Sequence, residues 1–364
     1  MDSALLDDIQ SKASAGDIAA QIALARQLGR NGQNEKALEW LRRAAATGNR
    51  EAKAALGQRL LIDPPLEPAE GIRLTLEAAQ EGNGDAAHLL AVLDASGQIS
   101  GANWPRALRY LQRASELGHP SSQAELAFLA GDDALGEGLA HGETPAHETW
   151  ERLVGKVDIA AWIAPPPGRA LHRNPRIAVS EKFASPQLCR WLIDRGRPHL
   201  RVAQIDDPMT GRPVYGQGRT NSSAELSLAE TDVVMHLLRA RMSALAGPPT
   251  SAMEGVAILR YEVGQQFYRH FDFLDPSMPG YAMQIEQFGQ RVLTFLIYLN
   301  EGYEGGDTEF PALSWRFKGG LGDALFFWNV DAAGKPDRLT LHAGSAPTRG
   351  EKWLLSQWVR GRVM

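Results

Sequence analysis

Four residues in the second half of this chain have the types and the spacing for chemistry at a metal ion. They are His270, Asp272, His342 and Lys352. Two imidazoles and one carboxylate can hold one face of an iron(II) ion and leave the opposite face open. A lysine ten residues past the last histidine can pair with a carboxylate on a co-substrate. This combination points towards an oxygenase.

The His-x-acid pattern is weak evidence by itself, because nine histidines and 43 acidic residues make about one such pair expected by chance. A second instance, His141-Gly142-Glu143, lies in a glycine-rich stretch without a strand pattern, and we interpret it as a solvated loop. The context of His270 differs, since His342 is the only histidine downstream. Ligands 72 positions apart need a fold to join them, which favours two neighbouring strands of a barrel.

The elements that must position these residues are mostly strands. Four segments rich in β-branched and aromatic residues predict strands, at 255–261, 291–299, 324–328 and 352–359. Helical patterns cover 185–195 and 228–245. Several strands with few helices predict a β-sandwich or barrel, and a jelly roll, the double-stranded β-helix, fits that count.

The first third of the chain repeats itself at intervals of 32, 34 and 36 residues. The repeats start at Gly16-Asp17, Gly48-Asn49, Gly82-Asn83 and Gly118-His119. Each interval contains two helical patterns, such as 52–61 with 69–79 and 86–93 with 104–114. A period of about 34 residues with paired helices predicts an α-helical solenoid, in which glycine ends every second helix.

Glycines and prolines interrupt this pattern over residues 131–170, where 147–157 could still form a helix. We therefore predict a helical repeat domain at 1–150, a linker at 151–170 and an oxygenase domain at 171–364. The predicted fold class is a multidomain α and β protein. It combines an N-terminal α-helical repeat solenoid with a C-terminal jelly-roll domain.

Composition excludes several classes of function. The net charge is −5 without a long basic run, which argues against nucleic acid as a partner. No window of about 18 uninterrupted apolar residues is present, so no membrane partner is expected. The single cysteine, Cys189, rules out an intrachain disulfide and a zinc site built on cysteines. We expect a reducing, cytoplasmic location.

Five ordered motifs resemble those of prolyl 4-hydroxylase-type iron(II)/2-oxoglutarate-dependent dioxygenases, over about residues 172–364. They are Tyr261 to Asp272, Arg291 to Leu299, Gly305 to Pro311, Gly322 to Trp328, and His342 to Trp353. The alanine and glycine pattern of about residues 15–130 resembles Sel1-like repeats, which are related to the tetratricopeptide repeat. In that family such repeats bind proteins or peptides through a concave face.

The resemblance implies three sets of site residues. The catalytic iron ligands would be His270, Asp272 and His342. The 2-oxoglutarate pocket would be formed by Lys352, Tyr261, Thr294, Tyr298 and Trp358, with Lys352 binding the distal carboxylate. The peptide substrate would contact Arg219 and Glu254.

The resemblance also implies Fe(2+), 2-oxoglutarate and O2 as cofactors, with ascorbate as the reductant and with succinate and CO2 released. The leading substrate is a prolyl residue of a protein or peptide, which the repeats would recruit unless they serve only as a scaffold. Phe267, Asn221 and Arg360 depart from the family's frequent tyrosine, serine and histidine on the substrate side. Two alternatives stay open: a hydroxylase of a free amino acid or small metabolite, and a protein-interaction adaptor with an oxygen-sensing oxygenase domain.

Overall fold

The computed structural model describes residues 3–98 and 101–363. The chain forms two compact units. The first comprises Met1–Ala161 and Ser227–Leu237, and the second comprises Trp162–Leu226 and Leu238–Met364. The predicted domain boundaries, with a linker at 151–170 between a repeat domain and an oxygenase domain, remain a prediction. Within the described part of the chain, none of the helices combines the length and the apolar character that crossing a membrane requires.

Helices arranged in consecutive pairs build the first unit. They are α1 (Ser3–Ser14), α2 (Ile18–Arg30), α3 (Asn34–Ala45), α4 (Arg50–Ile62), α5 (Pro68–Gln80), α6 (Gly84–Ser96), α7 (Trp104–Glu116), α8 (Pro120–Leu129), α9 (Asp133–Ala140) and α10 (His147–Val154). The short helix α11 (Ile159–Ile163) crosses the boundary between the two units. The predicted helix pairs of the repeats are thereby confirmed, with bounds within about three residues.

Each predicted repeat junction has the same local structure. The four repeated glycines have positive φ angles, between 79° and 95°, a conformation that is costly for residues with a Cβ atom. The residue after each glycine caps the next helix by accepting a hydrogen bond from the backbone N–H three residues on; these caps are Asp17, Asn49, Asn83 and His119. The glycine therefore ends one helix and the capping residue starts the next.

Buried alanines let the repeat helices pack closely. Ala44, Ala78 and Ala114 are fully buried, in agreement with their recurrence in the sequence. In contrast, α9 forms where the sequence predicts a break. It has no buried residue, so no apolar periodicity could have revealed it. The His141-Gly142-Glu143 segment that follows is an exposed turn, as predicted.

The second unit is built on antiparallel strands, supported by α12 (Pro186–Gly196) and α14 (Pro279–Phe288). The strands are β1 (Arg169–His172), β2 (Ile177–Ser180), β3 (Arg201–Val202), β4 (Ile205–Asp206), β5 (Pro213–Val214), β6 (Ser222–Glu225), β7 (Ala257–Tyr261), β8 (Phe267–His270), β9 (Arg291–Tyr298), β10 (Glu304–Gly305), β11 (Thr308–Phe310), β12 (Trp315–Phe317), β13 (Ala324–Trp328), β14 (His342–Gly344), β15 (Pro347–Arg349) and β16 (Lys352–Arg360). The four predicted strands correspond to β7, β9, β13 and β16 and are confirmed.

Two sheets share one apolar core. The larger sheet has the strand order β1-β2-β13-β9-β16-β7-β6-β3, and the smaller has the order β12-β11-β14-β8. Buried side chains of both sheets meet, with Tyr298 and Phe327 of the larger against Phe310 of the smaller. Two short pairs, β4-β5 and β10-β15, complete the strands. The predicted combination of a helical repeat region with an antiparallel β region is confirmed.

Helix α13 (Val233–Ala246) begins five residues after the predicted start at 228. Its first backbone N–H groups already have acceptors: Asp232 accepts from Met235 at 2.7 Å, and the buried carboxylate of Glu125 accepts from Val233 and Val234. Glu125, in α8, and this helix start both belong to the first unit. The caps, rather than the apolar pattern, fix where the helix starts.

Candidate active site

Three side chains that could ligate a metal ion meet at the edge of the smaller sheet. His270 of β8 and His342 of β14 are direct cross-strand partners, which confirms the prediction of neighbouring strands. Asp272 follows two residues after His270, past the end of β8. One ligand atom from each side chain lies within 4.8 Å of those from the other two. They form the only such cluster of three or more potential ligands found among the described residues.

Both histidines are held in the tautomer that a metal requires. Nδ1 of His270 lies 2.7 Å from the carbonyl oxygen of Tyr268, and Nδ1 of His342 lies 2.9 Å from that of Thr340. A carbonyl only accepts, so each Nδ1 carries a proton, and in the neutral ring the lone pair is on Nε2. Burial, with the neighbouring His270, lowers the pKa of His342 to about 4, so this imidazole is neutral at neutral pH.

Asp272 is held as a carboxylate. Burial by itself would raise its pKa, but the charge interaction with His342 and hydrogen bonds, including one from Thr294, hold the pKa well below its usual range. The hydroxyl of Thr294 donates to Oδ2 at 2.7 Å, and Nδ2 of Asn329 donates to that hydroxyl at 2.9 Å. Two imidazoles with one carboxylate fit iron(II).

A stack of flat groups continues from the ligand His270. The ring of Phe267 lies 3.5 Å from the His270 ring, centre to centre and nearly parallel. The guanidinium of Arg219 lies 4.7 Å from the Phe267 ring centre. Phe267 therefore contacts a predicted metal ligand directly, although its departure from the family pattern was predicted to affect the substrate side.

Lys352 is a buried base without a carboxylate partner. It pairs in register with Tyr261, and its Nζ donates to the carbonyl oxygen of Gly306 at 2.6 Å. No carboxylate lies within 4 Å of this nitrogen among residues 3–98 and 101–363. Burial lowers the pKa of Lys352 to about 7, and the charge of the more distant Asp307 opposes this only in part. The rings of Tyr261 and Tyr298 lie 5.4 Å from it. This arrangement fits an incoming carboxylate.

The two predicted pocket residues of β9 have different surroundings. Thr294 bonds to the ligand Asp272, whereas the Tyr298 hydroxyl lies 2.7 Å from Oγ1 of Thr308. Burial raises the pKa of Tyr298 above its ordinary range and that of Tyr261 to about 12, so both hydroxyls stay protonated. Thr308, rather than either predicted β9 residue, lines the cavity.

A cavity of about 760 Å³ contains the ligands and Lys352. Its size is within the range typical of ligand sites. It also includes the predicted substrate residues Arg219 and Glu254, as well as Trp358. The structure thus brings together most of the predicted site in one space.

One wall of this cavity is a charged cluster around Glu254. Arg291 donates to both carboxylate oxygens, at 2.7 and 3.0 Å, and Arg360 forms a second ion pair with the same group. Arg291 also contacts Asp206 at 3.3 Å and lies 3.7 Å from the Trp358 ring centre. Both carboxylate oxygens of Glu254 are therefore occupied by arginines, and Arg360 is one of the residues that line the cavity.

Arg219 differs from these arginines. Its Nε donates to Asn221 at 3.2 Å and its Nη1 donates to the carbonyl of Gln204 at 2.9 Å. It is 6% exposed, and no carboxylate of the described residues lies at ion-pair distance. Apart from the ring of Phe267, its positive charge has only neutral hydrogen-bond acceptors, which makes it available to an anionic or carbonyl group of a ligand.

Sequence reasoning missed Asn329, Asp206 and the role of Thr308. Asn329 and Asp206 are polar residues at strand ends. Polar residues are common there, so nothing in the sequence was a reason to select either of them. Thr308 is the first residue of β11, within the glycine-rich motif, and its hydrogen bond to Tyr298 depends on how the strands pair. Only the register of the sheets could have revealed these contacts.

Known proteins resemble both parts of the chain. The family model described as the 2OG-Fe(II) oxygenase superfamily matches residues 256–360. "Probable prolyl 4-hydroxylase 10" of Arabidopsis thaliana is 32% identical over 206 residues, which cover 51% of this chain and 69% of the relative.

Solved structures are similar as well. The viral collagen prolyl hydroxylase of Paramecium Bursaria Chlorella virus-1, in its 2OG complex, is 26% identical over 51% of this chain and 96% of its own, with a TM-score of 0.38. A Sel1 repeat protein from Oxalobacter formigenes is 26% identical over 34% of this chain and 97% of its own, with a TM-score of 0.28.

Proposed function

We propose that this chain, which belongs to the 2OG-Fe(II) oxygenase superfamily and is of its prolyl 4-hydroxylase type, is a hydroxylase. Its proposed target is a prolyl residue of a protein or peptide. One observation carries the proposal: three side chains able to ligate a metal and the buried Lys352 lie in the same cavity. The intact ligand set disfavours an adaptor with a catalytically inactive oxygenase domain.

We assign iron(II) to Nε2 of His270, Nε2 of His342 and the carboxylate of Asp272. When bound, iron(II) together with O2 and 2-oxoglutarate supplies the oxidation that inserts one oxygen atom into a C–H bond, with succinate and CO2 as co-products. The chain contributes two imidazoles oriented by hydrogen bonds from their Nδ1 atoms, on one side of an open cavity. Ascorbate is the proposed reductant that keeps the iron in the iron(II) state.

Lys352 is the proposed partner of the distal carboxylate of 2-oxoglutarate. A buried amine with one neutral acceptor gains a full charge partner when the carboxylate binds. Tyr261 pairs in register with Lys352, and its protonated hydroxyl can donate to the same ligand. Thr308 lines the cavity and Tyr298 holds it by hydrogen bonding.

The peptide is proposed to bind on the side of Arg219 and Trp358. The uncompensated guanidinium of Arg219 can donate to a peptide carbonyl oxygen. The indole of Trp358 offers an apolar surface to a prolyl ring. Glu254 then acts by holding Arg291 and Arg360 in the wall, because both of its oxygens are already bound. The helical repeats are proposed to recruit the protein that carries the target residue.

Turnover of purified protein tests the proposed activity. With iron(II), ascorbate and 2-oxoglutarate, it should form succinate slowly alone and faster with a proline-rich peptide, which gains one oxygen atom by mass spectrometry. His342→Ala should abolish both rates. His141→Ala, in the exposed turn, is the matched control and should change neither.

Two results would contradict the proposal. Equal coupled turnover with a proline-free peptide of the same length would exclude prolyl specificity and favour a different substrate class. Absence of both iron binding and succinate formation would exclude an enzymatic function.

For the repeats, hydrogen exchange of the intact protein should show protection of helices α1–α8 when a protein substrate binds. Protection confined to residues 162–226 and 238–364 would exclude recruitment.

A further inference from the structure

We propose that Asn329 is a positioning residue that fixes the orientation of two ligand side chains, Asp272 and His342, a role that rests on the metal site proposed above. Asn329 lies directly after β13, is fully buried and contacts no ligand itself. Its side chain acts towards Asp272 through Thr294, and its backbone carbonyl acts towards His342 through the following loop.

The side-chain connection has a fixed direction. Asp272 is a carboxylate and only accepts, so Thr294 must donate its single hydroxyl proton to Oδ2, at 2.7 Å. The Thr294 oxygen is then an acceptor, and the amide atom that faces it at 2.9 Å must be the donor Nδ2 of Asn329. The amide therefore sets the direction of the hydroxyl, and the hydroxyl sets the orientation of the carboxylate.

Thr294 is a rigid intermediate in this connection. It is fully buried in β9, which pairs with β13 on one side and β16 on the other. A β-branched side chain in a strand has few allowed rotamers, so its hydroxyl cannot easily turn away. With Oδ2 of Asp272 held, Oδ1 remains for a metal, 3.5 Å from Nε2 of His270.

The backbone connection leads to the second ligand. The carbonyl oxygen of Asn329 accepts from the N–H of Asp337 at 3.0 Å. Asp337 caps the short 3-10 turn Arg338–Thr340 and its carbonyl accepts from the Thr340 hydroxyl at 2.7 Å. The carbonyl of Thr340 in turn accepts the Nδ1 proton of His342 at 2.9 Å. The backbone of Asn329 therefore anchors the turn that sets the His342 ring, and a side-chain substitution tests only the connection to Asp272.

A buried orphan atom supports a role beyond packing. Oδ1 of Asn329 has no hydrogen-bond partner among the described residues. Leaving a buried amide oxygen unpaired is costly, and an apolar residue of the same size would avoid this cost. His270 provides an internal contrast, because its Nδ1 partner is Tyr268 of its own strand.

Binding of cobalt(II) to the intact protein, without 2-oxoglutarate or O2, tests the proposal. We expect Asn329→Leu and Thr294→Val each to weaken cobalt(II) binding by about tenfold to 100-fold, the usual effect of removing a group that orients a ligand. Both should shift the d–d absorption bands in the same way. Thr294→Ser keeps the hydroxyl and should retain affinity and spectrum. The double variant Asn329→Leu/Thr294→Val should bind no worse than Thr294→Val alone.

Asn300→Leu is the matched control, because Asn300 is likewise an asparagine just after a strand. Its side chain hydrogen-bonds to the backbone of Glu351 and Trp353 and not to a proposed metal ligand. It should lower stability and leave cobalt(II) binding unchanged. A folded Asn329→Leu with wild-type affinity and spectrum would overturn the proposal. If Asn329→Leu does not fold, equal binding by Thr294→Val and wild type overturns it. A wild-type protein without metal binding overturns the proposed function as well, which separates the two failures.

Discussion

Nζ of Lys352 lies 2.6 Å from the carbonyl oxygen of Gly306, and the lysine is fully buried. The acceptor is neutral, so burial dominates and lowers the pKa of Lys352 from its ordinary 10.5 to about 7. The unfolded chain binds more protons between these two values, so the free energy of unfolding of the ligand-free protein should rise with pH across that window. A bound carboxylate would favour the charged form.

We expect 2-oxoglutarate binding to take up close to one proton at about pH 8.5 and almost none at about pH 6. Above about pH 7 the affinity should fall by up to roughly tenfold per pH unit. Calorimetry in two buffers of different ionisation enthalpy measures the proton count. Lys352→Gln should bind weakly without proton uptake, and the exposed Lys335→Gln should match wild type. Unchanged uptake in Lys352→Gln would rule out this lysine.

Arg219→Gln should raise the KM for a proline-rich peptide by about tenfold or more, because a charge-assisted hydrogen bond to the substrate is lost. Succinate formation without peptide should stay close to wild type, since Arg219 contacts no ligand of the metal by hydrogen bonding. The exposed Arg212→Gln serves as the control and should leave both rates unchanged. Steady-state kinetics in which Arg219→Gln keeps the wild-type KM would exclude Arg219 from the peptide site.

Glu254→Gln should lower the free energy of unfolding by about 3–5 kcal/mol, because it leaves two buried arginines, Arg291 and Arg360, without their shared carboxylate. Glu304→Gln breaks an exposed pair with Arg349 and should cost at most about 1 kcal/mol. Urea unfolding of both variants measures the difference. If both variants lose a similarly small free energy of unfolding, water must reach Glu254 and its two arginines in the cavity wall.

Gly48→Ala should destabilise the protein by about 1–2 kcal/mol, because Gly48 has a φ of 83° and an alanine there is strained even though nothing lies within 4 Å. Gly136, inside α9, also has open space but no positive φ. Gly136→Ala should therefore stabilise its helix by up to about 1 kcal/mol. Thermal unfolding compares the two, and a harmless Gly48→Ala would show that the repeat junction tolerates another backbone conformation.

The sequence could predict those parts of the site whose residue types are rare and chemically specific. His270, Asp272 and His342 stand out by type, and the structure places them together. Thr294 was also singled out, but its hydrogen bond to Asp272 follows from the position of two sheets, which no spacing along the chain contains. Asn329 is a common residue at a strand end, so its contacts needed the fold.

Secondary structure was likewise predictable only where the apolar pattern is strong. Four strands of the larger sheet, β7, β9, β13 and β16, and the repeat helices have a clear apolar pattern, so their prediction succeeded. The other four strands of that sheet are short and were not predicted. Helix α14 was not predicted, although Pro279 at its start and Gly289 after its end are typical helix signals. Its only buried residue is Gly280, so the apolar pattern is weak. The jelly-roll closure and the cytoplasmic location stay predictions.

The hydrogen bonds from Val233 and Val234 to Glu125 have a consequence for the time course of synthesis. The carboxylate of Glu125 is fully buried, and the segment that supplies its partners, Ser227–Leu237, is part of the first unit. As the chain leaves the ribosome, the repeat helices appear first, but their unit stays incomplete until residue 237 has followed. The N-terminal unit therefore finishes folding only after the first strands of the second unit, β1–β6, have already been made.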